Sequence, residues 1–378
     1  MTRKQPEQTR LLDATKPVSR SAVVDLNREK FLRVLSTIRN LERLVELKEA
    51  TVALTNTISQ LASDEAGILL DNGDENSFSV RKDVLVSELE QVIEAQTIAR
   101  SKYYIERLIK GILKAKTGKI NDINLSRWKE YDDIITDSLW LFGKRDNSGV
   151  HLASYWGNFV PQIPHQVLLR YTKKGDWVLD TFVGSGTTLI ECRRLGRNGI
   201  GIELNADVAR GAQELIEQEP NTRHVITDVE IGDSRIIDYE ALLEQHGLKE
   251  VQLLIMDPPY YDIIKFSEDK SDLSNATNVE EFLLKFGAIV EKATPFLEEG
   301  RYLVLVIGDK YSSGEWIPLG FYCMNEVLKR GYVLKSIVVK NFEETRGKRN
   351  QKELWRYRAL VGGFYVFKHE YVMLFKKT

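Results

Sequence analysis

The four residues Asp257-Pro258-Pro259-Tyr260 set a carboxylate, backbone carbonyls of restricted φ and an aromatic ring side by side. That combination suits a demanding kind of chemistry. An exocyclic amine on a nucleobase is a poor nucleophile because its lone pair is delocalised into the ring, and to attack an electrophilic methyl group it must be drawn towards tetrahedral geometry. Asp257 can accept one N–H, and the carbonyl of Pro258, held by the fixed φ of the Pro-Pro pair, can accept the other. The positive charge that grows on nitrogen in the transition state then faces a fixed carboxylate and a carbonyl dipole. Tyr260 can stack on the base, which a duplex must first release by flipping at a cost of about a few kcal/mol. The competing account is a plain turn after a strand, since Pro-Pro is a common loop dipeptide.

A second stretch, DWVLDTFVGSGTTLIECRRLGRNGIGIE from Asp176 to Glu203, offers a place for the methyl donor. It reads as a buried strand Trp177 to Asp180, a glycine turn Gly184-Ser185-Gly186, a helix capped by Thr187 or Thr188, and a short strand ending in Glu203. Glycines let backbone approach a ligand, and an acid about 20 residues on can accept hydrogen bonds from ribose hydroxyls. A nucleoside-bearing cofactor follows. Gly186 is succeeded by Thr187 and Thr188 instead of a lysine, which disfavours ATP or GTP, and Leu189 stands where the dinucleotide fingerprint needs a third glycine. Asp180 would repel a pyrophosphate but suits a cationic amino-acid end, which points to S-adenosylmethionine. Glycines placed only for the bend are the competing account.

Other elements must bring these two stretches to one edge. Val251 to Met256 is a nearly unbroken apolar run, as expected of a strand covered on both faces. It delivers Asp257 at its carboxyl end, where open α/β sheets bind ligands. Between the stretches, Asn205 to Gln218 reads as a helix and Arg223 to Ile231 as a strand closing on Gly232-Asp233-Ser234. Asp233 there could hold an adenine amino group or make a surface turn. After a polar loop, Asp262 to Asn278, come helix Val279 to Leu297, strand Tyr302 to Ile307, helix Phe321 to Arg330, strand Tyr332 to Val339, a basic loop, and strand-like runs Phe364 to Phe367 and Tyr371 to Lys376. Such alternation predicts a doubly wound α/β sheet.

VLDTFVGSGTT (178–188) and DPPY (257–260) together resemble the S-adenosylmethionine-dependent DNA methyltransferases that modify amino groups, N6 of adenine or N4 of cytosine. The resemblance spans about 155–378. FVPQIPHQVLLRYTKKGD is similar to the family's segment before the cofactor loop, and HEYVMLFKK (369–377) to its closing strand. By resemblance the fold is a Rossmann-like methyltransferase sheet, and Phe159, Pro161, Asp180, Phe182, Gly184, Ser185, Gly186, Thr187, Glu203 and Asp233 contact S-adenosylmethionine. Asp before Pro-Pro leans to adenine, and DNA is the expected partner, with a restriction or specificity partner as a further expectation. The cofactor motif precedes the catalytic one, whereas relatives with the closest FxGSGTT wording often carry the reverse order. No block of about 100 residues follows DPPY or lies between the motifs as a separate target-recognition domain.

Upstream, residues 1–25 read as a mobile arm, 26–145 as an all-helical domain and 150–378 as the methyltransferase domain. Apolar residues recur at three- and four-residue spacing from Val24 to Leu61 with no Pro or Gly between, which predicts one long helix. A turn at DNGDENS (71–77) and a second helix, Arg81 to Lys116, would complete an antiparallel pair, with a third helical piece at Leu125 to Trp140. Its uses are homodimerisation or DNA recognition, against a packing extension; no short-period repeat is evident. In FVPQIP the prolines favour extended chain, and Pro164 suits the first turn of the following helix. The loop Lys340 to Arg358 carries seven Lys or Arg against three Glu, with Trp355 and Tyr357. Basic residues interleaved with aromatics suit phosphate contact and base stacking by Arg346, Lys348, Arg349 and Trp355.

Across all 378 residues, 43% hydrophobic and 29% charged content are those of a globular protein, and a net charge of -2 argues against a wholly basic nucleic-acid binder. Two cysteines in no metal-like spacing and five scattered histidines give neither a zinc site nor a disulfide framework. A reducing cytoplasm is expected. The start lacks an apolar signal region, and no run of about 18 apolar residues suggests a membrane span. Cytosine C5 methylation would need a nucleophilic cysteine, usually after proline, but Cys323 follows Tyr322 and Cys192 follows Glu191. The nearer rivals are RNA amino-methylation, methylation of a protein glutamine amide, and a binding subunit that leaves catalysis to another chain.

Overall fold

The computed structural model describes residues 23–60, 67–69, 77–113, 118–151, 157–312, 314–342 and 352–378. Two compact units emerge: one runs to Gly118 and includes Ile123–Asp133, the other comprises Lys119–Asp122 and Ile134–Thr378. The division expected near 145 therefore falls at 133, because Leu139–Trp140 is already a strand of the second unit's sheet.

In the first unit, strand β1 (Val23–Asn27) leads into helices α1 (Arg28–Arg39) and α2 (Leu44–Gln60), and strand β2 (Ser77–Arg81) into α3 (Lys82–Glu94) and α4 (Ile98–Leu113). The single helix expected over Val24 to Leu61 thus becomes a strand and two helices, and the one expected over Arg81 to Lys116 becomes two helices that follow the last residue of β2, with 114–116 outside the described residues. The unit is mainly helical, with a two-stranded ribbon that periodicity conceals. Leu125 to Trp140 is not a helix: a 3₁₀ turn occupies Leu125–Glu130 and strand β3 (Leu139–Trp140) follows later. Most of the turn expected at 71–77 lies outside the described residues, as does the arm up to residue 22.

The two halves of this unit are one pattern used twice. The ribbon is antiparallel and centred on Asp25 opposite Ser79, a sequence offset of 54. At that same offset buried Val24, Leu26, Phe31, Leu35 and Ile38 recur as Phe78, Val80, Leu85, Leu89 and Val92. Each strand–helix–helix half lays its apolar face on the other, with Phe31 and Phe78 rings 5.9 Å apart. A common core results.

The second unit continues with α5 (Gln162–Tyr171), β4 (Trp177–Asp180), α6 (Thr187–Leu195), β5 (Asn198–Glu203), α7 (Ala206–Gln218), β6 (Thr227–Ile231), α8 (Tyr239–Glu244), β7 (Val251–Met256) and α9 (Val279–Ala293). It ends with β8 (Leu297–Ile307), a hairpin of β9 (Lys310–Ser312) and β10 (Glu315–Ile317), α10 (Leu319–Leu328), β11 (Tyr332–Asn341), α11 (Lys352–Gly362) and β12 (His369–Lys377). The expected basic loop thus begins inside β11 and ends inside α11, and Phe364 to Phe367 is irregular chain instead of a strand. Pro164 does lie in the first turn of α5, while Pro161 caps it.

The eight strands stand in the order β3-β11-β12-β8-β7-β4-β5-β6, parallel except for β12, which runs antiparallel to β8 and β11. This is a doubly wound, Rossmann-like sheet. Period-two alternation fills both faces. Leu179, Leu254, Met256, Leu303, Leu305, Met373 and Phe375 join a core with α8, α9 and α10, while Val178, Leu253, Ile255, Val304, Val306, Val372 and Leu374 pack with α5 and Cys192 of α6. Chain order reverses between β4 and β7, which makes their shared edge the switch point at which such sheets open a crevice.

Gly201 on β5 shows how tightly that edge is built. An added Cβ would stand 2.5 Å from Val183 Cγ2, because the loop after β4 crosses directly over it, with Val183 N donating to Ile202 O at 3.0 Å. Gly201→Ala is expected to cost about 1–3 kcal/mol of stability by overpacking. Urea denaturation of the two proteins checks it, and equal midpoints would refute the crossing geometry.

Candidate active site

Asp180 pairs with Ile255 across the parallel strands β4 and β7, so the chain leaves both at the same edge. Gly184, Ser185, Thr187, Glu203 and Asp233 line one part of a cavity of about 860 Å³, and Asp257, Pro258, Pro259 and Tyr260 line another. The two sequence stretches meet.

On the cofactor side, Gly184 has φ +52°. Its N–H donates to Glu203 Oε2 at 3.1 Å while Asn205 N–H donates to Oε1 at 2.9 Å. Burial raises the Glu203 carboxyl, and these two donors oppose that rise. With both oxygens fixed, spare lone pairs remain for a cis-diol. Asn158, which sequence reasoning passed over, clamps the turn: its Nδ2 donates to Ser185 Oγ at 2.8 Å and its Oδ1 accepts from Thr187 Oγ1 at 2.5 Å. Phe159 and Phe182 supply apolar wall.

Three expected contacts stand behind that wall instead of on it. Gly186 has φ +85°, and a Cβ there would meet Ile216 Cδ1 at 2.8 Å, so its glycine serves the approach of α7. It is also the residue before α6, which starts with no side-chain cap from Thr187 or Thr188. Pro161 sits at the head of α5. Asp180 is 1% exposed and accepts from Phe182 N–H at 2.9 Å. Asp233 lines the cavity with its carboxylate held by Arg235, whose Nη2 lies 2.5 Å from Oδ2.

Burial pushes the Asp180 carboxyl up to about 6. Its folded-state value lies above the ordinary carboxylate value, so ionisation disfavours the fold, and stability falls as pH rises from the unfolded value through about 6. Asp180→Asn removes that loss while keeping an acceptor for Phe182. Its stability relative to the native protein is expected to grow between about pH 4 and pH 6 and then level off, by about 3 kcal/mol at most. Thermal melts at several pH values check this; a pH-independent difference would contradict it.

A second buried acid, Glu191 on α6, ties that helix to the approach segment. Its oxygens lie 2.8 Å from His151 Nε2, 2.7 Å from His165 Nδ1 and 2.9 Å from Arg194 Nη1. Burial alone would raise it, but these partners outweigh burial and hold it down at about 2. The arrangement fixes α5, and with it the entrance around Phe159.

On the substrate side, burial first, then the charges of Glu370 and Asp180, lift Asp257 well above the usual carboxylate range, with Lys340 opposing. Tyr260 Oη donates to Glu370 Oε2 at 2.8 Å. Tyr311 and Phe364 stack at 3.8 Å further along the wall, and Trp355 reaches it from α11. Arg346, Lys348 and Arg349 lie outside the described residues. Lys340 and Glu370 were not anticipated as site residues, although a charge inside each of the apolar runs SIVVKN and HEYVMLF was a visible signal. Both cysteines are buried, and burial pushes both thiols up, so neither is an available nucleophile.

A crevice of this construction, with an acid beside a glycine turn and an acid–proline–proline–aromatic strand end one strand away, is the arrangement that methyl transfer from a nucleoside donor to an amine requires. Residues 63–214 match the family described as DNA methylase, a stretch that contains the glycine turn and ends before Asp257. The chain is 22% identical over 363 residues to the type II methyltransferase M.MjaII of Methanocaldococcus jannaschii, covering 88% of this chain and 62% of that protein. It is 44% identical over 57 residues to M2.DpnII of Streptococcus pneumoniae, covering 15% and 21%. A probable tRNA (guanine(10)-N2)-dimethyltransferase of Methanothermococcus thermolithotrophicus is 30% identical over 126 residues, 33% of this chain and 70% of that one. The chain thus spans less than two thirds of the type II relatives it matches. By these matches the chain is similar to the S-adenosylmethionine-dependent DNA amino-methyltransferases, of the N6-adenine or N4-cytosine type. S-adenosylmethionine is the methyl donor of that family. No described helix is long and apolar enough to cross a membrane.

Proposed function

We propose that this protein is a site-specific DNA methyltransferase that transfers a methyl group from S-adenosylmethionine to N6 of a flipped-out adenine. The observation that carries the reading is the meeting of Asp257-Pro258-Pro259-Tyr260 with the glycine turn in one cavity at the β4/β7 edge. In this reading Asp257 and the Pro258 carbonyl accept the two amine hydrogens and Tyr260 stacks on the base; with the donor bound, the N–C bond would form as the C–S bond breaks, the thioether would leave, and one amine proton would pass by way of Asp257 to solvent. Glu203 binds the ribose and Phe159 and Phe182 the remainder of the donor, which enters from the cofactor side. Asp in place of Ser before Pro-Pro supports adenine over cytosine. Incubation with tritiated S-adenosylmethionine and DNA, RNA or protein, followed by nucleoside analysis, tests it: label in N6-methyladenine of DNA is expected, and label confined to RNA or protein would overturn it.

RNA base amino-methylation is the second reading, favoured by the tRNA guanine-N2 relative. It needs the same Asp257 chemistry and differs only in what presents the base.

For the nucleic-acid surface, α11 supports a role beside the cavity. Trp355 lines the wall, while Tyr357 and Leu360 of the same helix are 65% and 71% exposed next to Arg356 and Arg358. Arg346, Lys348 and Arg349 in the preceding segment extend the same basic stretch. Charge reversal at these three is expected to weaken DNA binding at least tenfold at low salt and to flatten its salt dependence, each phosphate contact contributing about 0.9 to the log–log slope. Titration at several salt concentrations checks it, and unchanged binding would remove the segment from the interface. Homodimerisation and a restriction or specificity partner remain proposals for the N-terminal unit; its doubled strand–helix–helix core, already closed within one chain, favours recognition over dimerisation.

A further inference from the structure

Lys340 on β11 and Glu370 on β12 face each other in the antiparallel register, are 5% and 6% exposed, and pair at 3.0 Å. Removing two charges from water costs several kcal/mol per ion before their attraction offsets it, and a pair of aliphatic side chains would fill such a place at lower cost. Stability alone does not account for it. Both residues line the cavity, on the side of the switch point away from the glycine turn.

Strand order supplies the geometry. Tyr371 pairs with Ile307, so Glu370 sits beside Gly308 just past β8, and Met256 pairs with Leu305, so Asp257 emerges one strand further on. Glu370 spends one oxygen on Lys340 and the other on the Tyr260 hydroxyl at 2.8 Å. The Tyr260 ring meanwhile lies across Gly308, where a Cβ would come within 3.0 Å of a ring carbon. Hydroxyl and ring are both fixed, at the far end of the same turn that carries Asp257.

Resting on the reading of amine methylation above, we propose that Lys340 and Glu370 are positioning residues: the pair locks Tyr260 as the platform for the flipped base and governs the electrostatic setting in which Asp257 accepts the amine. The charges that act on Asp257 are Glu370 from β12, Asp180 from β4 and Lys340 from β11, while His369, Asp309 and Lys310 line the same cavity. Of these, Asp309 is engaged by Gly320 N–H and Tyr371 Oη, and Lys310 by Asp262. The amine needs an ionised acceptor, so the acid limb of kcat/KM follows Asp257. Its carboxyl is raised by burial and then by Glu370, and lowered by Lys340. Neutralising the anion should therefore move the limb to lower pH, and neutralising the cation should move it to higher pH.

The experiment compares the full-length native chain with Glu370→Gln, Lys340→Met and the conservative Glu370→Asp. Methyl transfer is followed across the acid limb on whichever nucleic acid the native chain modifies, and S-adenosylmethionine affinity is measured calorimetrically. Expected are a fall in kcat of about tenfold or more for the two neutral variants, cofactor affinity held within about twofold, limbs displaced in opposite directions, and partial recovery in Glu370→Asp. Limbs that stay put or move together, or cofactor affinity falling in step with kcat in all three variants, would overturn the proposal. A native chain that transfers no methyl group to nucleic acid would instead overturn the functional reading on which it rests.

Discussion

Asp257→Ala is expected to lower kcat by about 10²–10³-fold while leaving the dissociation constant for S-adenosylmethionine within about threefold. The magnitude follows from the role proposed for the carboxylate. On the mechanism proposed above, the amine in the ground state shares its lone pair with the ring and gains little from the acceptor, whereas in the transition state it carries positive charge that a fixed anion one hydrogen bond away stabilises. Such differential binding appears in kcat and leaves cofactor affinity intact. Burial places Asp257 well above the ordinary carboxylate range, so the acid limb of activity should lie at higher pH than an ordinary carboxylate would give. Single-turnover assays with DNA, together with calorimetric titration of the cofactor, separate the two quantities. Transfer within tenfold of native in the alanine variant would show that the acid is scaffolding for a turn.

Glu203→Ala should do the opposite, weakening S-adenosylmethionine by about a hundredfold with a smaller change in saturated kcat. Two losses add. The variant forfeits hydrogen bonds from ribose hydroxyls to a charged acceptor, each contributing about 1.5–3 kcal/mol. It also frees the Gly184 and Asn205 N–H groups, which the carboxylate holds at 3.1 Å and 2.9 Å, so the turn loses its preset shape. At about 1.4 kcal/mol per tenfold, the sum gives the stated factor. Glu203→Gln keeps one acceptor and should fall between. Equal affinity in all three proteins would place the ribose elsewhere.

The fold was most legible in the sequence where burial is two-sided. Val251 to Met256 lies between Glu250 and Asp257 as a run apolar but for Gln252, as expected of a central strand that two helical layers cover. Glycine turn and strand-end acid were legible for another reason: local chemistry dictates both, and each is short. The N-terminal unit was misread because Ile38, Leu41, Leu44 and Leu47 keep helical spacing across the link at 40–43, and Ala95, Gln96 and Thr97 carry no proline or glycine to announce a break. Tertiary packing makes those turns, folding α2 back on its own layer. The doubling stayed hidden because burial repeats at the offset while residue identity does not: Phe31 answers to Leu85, and Ile38 to Val92. Lys340 and Glu370 lie far apart in sequence, and only the pairing of β11 with β12 makes them neighbours.

The position of β4 at the reversal of strand order bears on how the molecule assembles on the ribosome. β5, its partner on one flank, follows almost at once, but β7, its partner on the other, is translated only after α6, α7, β6 and α8 have emerged. Until then the nascent sheet presents β4 as a bare edge with unpaired peptide groups, a template for pairing with a foreign strand. A ribosome stalled before residue 251 would hold a complete glycine turn on an adhesive half-sheet.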